Sequence, residues 1–195
     1  MALEIYIEGG GSTKTQQTRL RIGMGKLLNK TVPQKKRVRP IACGSRDQAY
    51  KRFKSALESD QNALLLVDSE DVISEGMTRW THLKKRDKWS RPHGATEDDV
   101  HFMAACMETW IATDRDALRK YFGSCLREKA LPPVVNMERR LRKDLLRQLE
   151  NATNNCSKVY SKGDHSFKLV GALNPEMLRA HLPHFVEFEK ELKKR

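Results

Sequence analysis

The sequence predicts an α/β fold: a mainly parallel central sheet with flanking helices, followed by a helical C-terminal extension. Three observations carry this. Short apolar runs of strand character alternate with segments of helical period through the first half of the chain. One run, NALLLVDSED, sets four large aliphatics side by side, as a strand buried on both faces requires. After Pro132 and Pro133 only helical patterns remain.

LEIYIEG alternates and ends at glycine, which predicts the first strand. TQQTRLRIGMGKLLNKT then places Leu20, Met24, Leu27 and Leu28 on one helical stripe. VRPIACG is a second short strand. SRDQAYKRFKSALES opens with Ser45 as a helix cap and carries Ala49, Phe53, Ala56 and Leu57 at helical spacing. NALLLVDSED is the third strand. Repeated strand–helix units imply parallel strands with right-handed crossovers, and such sheets gather ligands at the carboxyl ends of their strands. Glu8 and Asp68 are therefore expected on one edge.

Residues 72–99 are polar and Trp-rich, with a short helix expected through TRWTHLKKRDKW and a break at Arg91 and Pro92. They read as a flap over that edge. VHFMAACMETWI suits a strand or a buried helix; the preferred reading is a strand running into a helix that begins near Asp114. Strand alternation would put Glu108 and Trp110 on one face and His101 on the other. MERRLRKDLLRQLENAT, HSFKLVGAL and a capped helix from NPEMLRAHL to the end complete the pattern. The expected organisation is an α/β core over 1–112 and a helical extension over 113–195 packed on it.

Lys and Arg number 37 against 25 Asp and Glu, a formal charge of +12 with a pI near 9.7. Such an excess attracts polyanions, nucleic acid first among them. The basic runs LLNKTVPQKKRVRP, RWTHLKKRDKWSRP, MERRLRKDLLRQ and EKELKKR are interleaved with acids, so each alone describes a solvated surface and together they allow a basic face. The four cysteines stand far apart without a CxxC pair, which argues against zinc. No apolar run approaches the roughly 20 residues that span a bilayer. The expectation is a cytoplasmic protein with reduced thiols and no membrane partner.

GGGSTK fails as a phosphate loop, because the lysine follows the hydroxyls instead of preceding them. Its glycines still allow a sharp turn and a close approach of backbone to a ligand. Glu8 closes the first strand, and Asp68, Glu70 and Asp71 close the third. Carboxylates brought together repel unless a divalent cation compensates or one is protonated. Magnesium or manganese on these oxygens implies metal-assisted phosphoryl transfer. DSED taken alone also reads as a helix or turn cap.

Four further residues complete the candidates. Arg46, at the start of the second helix, has the forked donors to bind a phosphate. Glu108, if buried, needs a partner and either extends the acidic cluster or pairs with arginine. Lys162 and His165 in KGDHSFKL sit on a polar turn where a cation meets a phosphate or its leaving oxygen, or simply caps the turn. Trp110 reads as core and His101 as structural.

Glu8 after strand one and DSED after strand three, in this βαβαβ order, resemble the Toprim domain of topoisomerases, primases, small ribosomal-RNA maturases and OLD-type nucleases. The resemblance implies a Toprim-like (Rossmann-like) sheet, with Glu8 as general acid or base and Asp68 and Glu70 as the magnesium-holding DxD pair. Here the second acid is glutamate, with Asp71 directly after it. Most of the chain is similar to domain-of-unknown-function family 4276, which includes RloG-like bacterial proteins, through EGGG, IACGSRDQAY, LLLVDSED, HLKKRDKWSRPHGA, HFMAACMETWIATD and KGDHSF. That resemblance implies a magnesium- or manganese-dependent nuclease acting on DNA or RNA in a phage-defence or restriction locus, with an AAA- or ABC-type ATPase partner. In this reading Glu8, Asp68 and Glu70 serve metal and catalysis with Asp71 in reserve, and Lys162 and His165 stand at the reacting phosphate. Lys14, Arg46, Lys84 and Lys85 bind backbone phosphates, and homodimerisation is left open. The alternative is a non-catalytic subunit that docks on the ATPase or captures nucleic acid, for which DxE in place of DxD speaks.

Overall fold

The computed structural model describes residues 2–195, apart from the side chain of Asp164. The chain runs β1 (Leu3–Ile7), α1 (Lys14–Thr31), β2 (Val38–Ala42), α2 (Arg46–Glu58), β3 (Ala63–Asp68), α3 (Arg79–Asp87) and β4 (Val100–Met103). Among the described residues six α-helices follow: α4 (Met107–Thr113), α5 (Arg115–Phe122), α6 (Arg142–Thr153), α7 (Asp164–Ala172), α8 (Pro175–His181) and α9 (Pro183–Lys194), with three short 3-10 turns between α5 and α6.

The sheet has the order β2-β1-β3-β4 and every pairing is parallel. The chain steps outward from β1 to β2, crosses back to β3 and continues to β4, so its direction of travel reverses between β1 and β3. Loops leaving the carboxyl ends of those two strands diverge and open a crevice. Glu8 and Asp68 stand on either side of it.

Alternation along the strands sorts the core into two layers. Leu3, Ile5 and Ile7 of β1 and Leu64 and Leu66 of β3 pack with the buried stripe Leu20, Met24, Leu27 and Leu28 of α1. Tyr6, Leu65 and Val67 face the other way, against Ala49, Phe53 and Ala56 of α2 and Trp80 and Leu83 of α3. Every residue of β3 is buried, as its aliphatic run predicts. Ser45 caps α2 by accepting from the Gln48 amide, also as expected.

The C-terminal helices pack on the α1 side, where Trp110, Leu145, Leu149, Phe185 and Phe188 join the sheet residues in one core. Trp110 is fully buried and meets Phe185 edge-on at 5.2 Å. α7 lies against α1 closely enough that a Cβ on Gly171 would stand 3.3 Å from the Gly23 Cα. His101 is buried beside Phe188 of α9, with its ring nitrogen on the Asp98 carbonyl at 3.1 Å, a structural placement.

The structure corrects four expectations. The 72–99 segment is no flap: Trp80, His82, Leu83 and Trp89 are buried on the α2 face, and Trp89 stacks on Tyr50 at 4.4 Å. Its buried aromatics pack it as the crossover into β4, and His82, Arg86 and Asp87 reach the carboxyl edge, His82 through the Ser69 carbonyl at 2.9 Å. The apolar run 100–111 is a strand only through Met103; a left-handed turn at Ala105, φ 56°, redirects it into α4, so Glu108 and Trp110 lie on a helix. Asp114 does start a helix, capping α5 by accepting from the Ala117 amide at 3.0 Å. The terminal helix is split into α8 and α9 at Pro183, whose ring cannot sit inside a helix.

The fourth correction concerns the thiols. Cys43 and Cys106 are free and buried, but Cys125 and Cys156 form a disulfide across 31 residues of sequence. The fold brings the turn after α5 beside the end of α6, where the Arg127 amide also donates to the Ala152 carbonyl at 2.8 Å. No helix among the described residues is long and apolar enough to cross a membrane.

Candidate metal centre

Glu8 follows β1, and its amide continues the ladder by donating to the Leu66 carbonyl at 3.2 Å. Alternation gives it the face that α2 covers. There Oε2 accepts from the Arg46 guanidinium at 2.9 Å and from the Asp68 amide at 3.3 Å. Next to it the chain turns through Gly9, Gly10 and Gly11, all at positive φ. Gly9 and Gly44 exchange two backbone hydrogen bonds of 2.8 Å, which pins the loop to the end of β2. A Cβ on Gly10 would stand 2.8 Å from the Gln17 Cα, so the run tolerates no side chain there.

Asp68 ends β3, and its Oδ1 accepts from the Met107 amide at 3.0 Å, the first residue of α4. The capping reading of DSED is thus correct for Asp68 and compatible with its place in the crevice. Ser69 is fully buried; its hydroxyl accepts from the Ala105 amide and donates to the Asp71 carbonyl, both at 2.8 Å. The Glu70 amide donates to the Ala105 carbonyl at 2.9 Å. Glu70 and Ala105 both take left-handed backbone conformations, at φ 65° and 56°, which cost a residue with a Cβ about 1–2 kcal/mol each. The bonds between the two turns hold this strained pair in place.

This backbone brings one carboxylate oxygen each from Glu8, Asp68 and Glu70 within 4.8 Å of one another. Of the two acids competing for the last place, Glu70 joins the cluster. Asp71 is exposed and pairs with Arg86 at 3.5 Å. An all-oxygen donor set of this size suits a hard divalent cation, and the cluster holds no sulfur or imidazole that would favour a softer one.

Cations surround the acids. Arg46 also forks onto Asp87 with bonds of 2.9 and 2.8 Å and donates to the Asp68 carbonyl. Arg142 pairs with Glu70, and Arg86 approaches it at 3.8 Å. Compensation is incomplete at the centre. Burial first, then the charges of Glu8 and Glu108, push the Asp68 carboxyl well above its ordinary range, against the opposing pull of Arg142 and Lys162.

A pocket of about 280 Å³ opens on the cluster, with Glu8, the glycine loop, Glu108, Arg142, Lys162 and Ser166 among its walls. Glu108, in the first turn of α4, is 3% exposed. It accepts from the Tyr160 hydroxyl at 3.1 Å and pairs with Lys162 at 3.5 Å, so its partner is a lysine rather than an arginine. Burial, then the Glu108 charge, pushes the Tyr160 phenol well above its usual value and keeps it a donor. The KGDHSF turn therefore reaches the acidic crevice through Lys162.

The other candidates are placed elsewhere. His165 is buried against the rings of Tyr121, Phe122 and Tyr160 and does not line the pocket. Lys14 lies in a separate groove, and Lys84 and Lys85 are exposed on α3 with no ion pair into the cluster. Arg46 is at the edge, but engaged by Glu8 and Asp87. Sequence reasoning missed Arg142, Asp87 and Tyr160. Arg142 is one of four arginines in MERRLRKDLLRQ, and nothing in the local pattern separates it from the others.

No curated protein and no solved structure matches the chain. The profile of the domain of unknown function DUF4276 matches residues 7–193, nearly the whole length. The span contains the glycine loop, all three clustered acids and the Lys162 turn, and the chain belongs to the DUF4276 family.

Proposed function

We propose that the protein is a magnesium- or manganese-dependent nuclease that hydrolyses phosphodiester bonds in DNA or RNA. The observation that carries this reading is the convergence of Glu8, Asp68 and Glu70 at the switch point of a parallel sheet, in a pocket also lined by Arg142 and Lys162. Carboxylates beside cations are what a metal and a phosphate need from one site. Asp68 and Glu70 would hold the ion, and Glu8 would complete its shell or take a proton from the attacking water. When bound, the ion supplies Lewis acidity toward the phosphoryl oxygen. Lys162 and Arg142 offer charge to non-bridging oxygens, and Glu108 with Tyr160 fixes the lysine in place.

The resemblance of Glu8 and DSED to the Toprim domain supports the same chemistry. The resemblance to RloG-like proteins adds an ATPase partner and a role in bacterial phage defence. The test is cleavage of labelled DNA and RNA by purified protein with manganese, magnesium or EDTA. Metal-dependent cleavage by the wild type, lost in both Glu8→Gln and Asp68→Asn, is expected. Equal cleavage by both variants would overturn the assignment.

One observation favours a second reading, a non-catalytic subunit: Arg46 and Arg142 already engage Glu8 and Glu70. Arginines in a former metal shell would leave a fold that only binds. Manganese at millimolar concentration separates the two, since an ion that binds only the folded protein must raise its melting temperature. No shift favours the binding subunit.

A further inference from the structure

A second charged groove lies on the other side of the glycine loop. Lys14 of α1, Arg21 one face-repeat further along the same helix, Arg39 of β2 and Arg52 of α2 line a concavity of about 320 Å³ whose walls include no acidic residue. β2 is the edge strand of the sheet, so the groove follows an open side of the molecule.

Many of the arginines outside the groove are neutralised. Arg46, Arg79, Arg86, Arg119, Arg142, Arg147, Arg179 and Arg195 each pair with a carboxylate. In the groove only Arg39 does so, with Glu4 at 3.1 Å. Among the described residues Lys14, Arg21 and Arg52 have no carboxylate partner, and the Arg52 guanidinium lies 5.8 Å from the centre of the Tyr6 ring. Unpaired cations brought together repel one another, and a polyanion relieves that repulsion on binding.

The groove adjoins the acidic pocket. Gln16 lines the pocket and Gln17 lines the groove, and the Gln17 amide donates to the Gly11 carbonyl at 3.3 Å. The backbone of Gly9–Gly11 and the side chains of Gln16 and Gln17 packed on it form the divide, a ridge with no charged residue on it.

We infer that Lys14, Arg21, Arg39 and Arg52 form a binding track for the phosphodiester backbone of a nucleic acid, which crosses the glycine loop to reach the acidic pocket. This deepens the nucleic-acid reading above and rests on it. Its four cations address the phosphates, so the affinity of the track is independent of base sequence. It also replaces the exposed Lys84 and Lys85 as the principal phosphate contacts.

The experiment measures binding in EDTA, where no cleavage occurs, by fluorescence anisotropy of labelled DNA and RNA strands of about 20 nucleotides, longer than a typical single-strand site. The groove variant is Lys14→Glu, Arg21→Glu, Arg52→Glu. The control is Lys129→Glu, Lys158→Glu, Lys190→Glu, which makes the same change in net charge at exposed positions elsewhere. The groove variant is expected to bind at least about tenfold more weakly, with a salt slope reduced by about 2, while the control stays close to wild type. Equal losses in both variants, or none in the groove variant, overturn the track. Protein that binds through the groove but cleaves nothing with manganese refutes the nuclease and leaves the track standing.

Discussion

Arg46 donates to Glu8 at 2.9 Å while its other nitrogens fork onto Asp87, so one guanidinium ties the end of β1 to the end of α3. All three side chains are less than a fifth exposed. Burial works against the arginine's charge, and Asp87 and Glu8 outweigh it, holding the guanidinium above its already high value. Truncation would strand two half-buried carboxylates. Arg46→Ala is therefore expected to lose about 3 kcal/mol in urea denaturation. Arg46→Lys should recover less than half of that, because a single ammonium cannot span both acids. A loss below about 1 kcal/mol in Arg46→Ala would show that water satisfies the pair equally well.

Arg142 and an ion bound at the cluster would draw on the same Glu70 carboxylate. The guanidinium pairs with Glu70, one of the three clustered acids, and its own side chain is more than a third exposed, so it is free to swing away. Removing a positive charge this close lowers the electrostatic cost of bringing in a cation. Arg142→Ala should bind manganese about tenfold more tightly by calorimetry, equivalent to about 1.4 kcal/mol. Glu8→Gln should bind it more weakly. If the proposed nuclease reading holds, Arg142→Ala cleaves more slowly despite its tighter metal. Unchanged or weaker manganese binding by Arg142→Ala would contradict the competition.

The edge that carries the site was legible because local and global signals agree there. The aliphatic run of β3 and the alternation of β1 determine parallel strands, and parallel strands determine where Glu8 and Asp68 emerge. The choice of Glu70 over Asp71 was not legible, because it depends on a left-handed turn held by Ala105 and Ser69, and neither residue advertises it. Tandem carboxylates look alike until the backbone orients them. Tyr160, Lys162 and Arg142 reach the pocket from segments far along the chain, and such long-range meetings leave no periodicity to read. The 72–99 segment reads as a flap because its polar average conceals Trp80 and Leu83, three residues apart on one face of α3, and Trp89 just beyond the helix end.

Asp99 gives a pH dependence of definite sign. Burial raises its carboxyl, but the Thr96 amide, Arg195 and the Thr96 hydroxyl outweigh it and hold the group below its usual value. The unfolded chain therefore binds the proton more readily than the folded one. The stabilisation is fully present above the ordinary aspartate value and is lost as pH falls through the lower, folded value. Asp99→Asn should cost about 1 kcal/mol near neutral pH, where it loses the cap and the ion pair. The difference from wild type should narrow as pH drops below about 4. A constant difference across that range would mean that the charge contributes nothing.

The Cys125–Cys156 bond closes a loop that contains all of α6, and it sits four residues before Tyr160 and six before Lys162. Its first effect is on the unfolded chain: cross-linking residues 31 apart removes enough freedom to stabilise the fold by about 3–4 kcal/mol. Its second is local, because the segment from Cys156 to Gly163 contains no helix or strand and depends on its ends for position. The Thr153 hydroxyl, which accepts from the Tyr160 amide at 2.8 Å, is the other restraint close by. Changing both cysteines to serine should lower the urea midpoint by the amount that reductant lowers it in wild type, and reductant should have no further effect on the variant. Loosening this segment should also weaken the Glu108–Lys162 pair and make Tyr160 more accessible, which tyrosine-selective modification reads directly. Identical midpoints for wild type with and without reductant would show that the two thiols are not joined in solution, and the position of Lys162 would then rest on Thr153 and Glu108 alone.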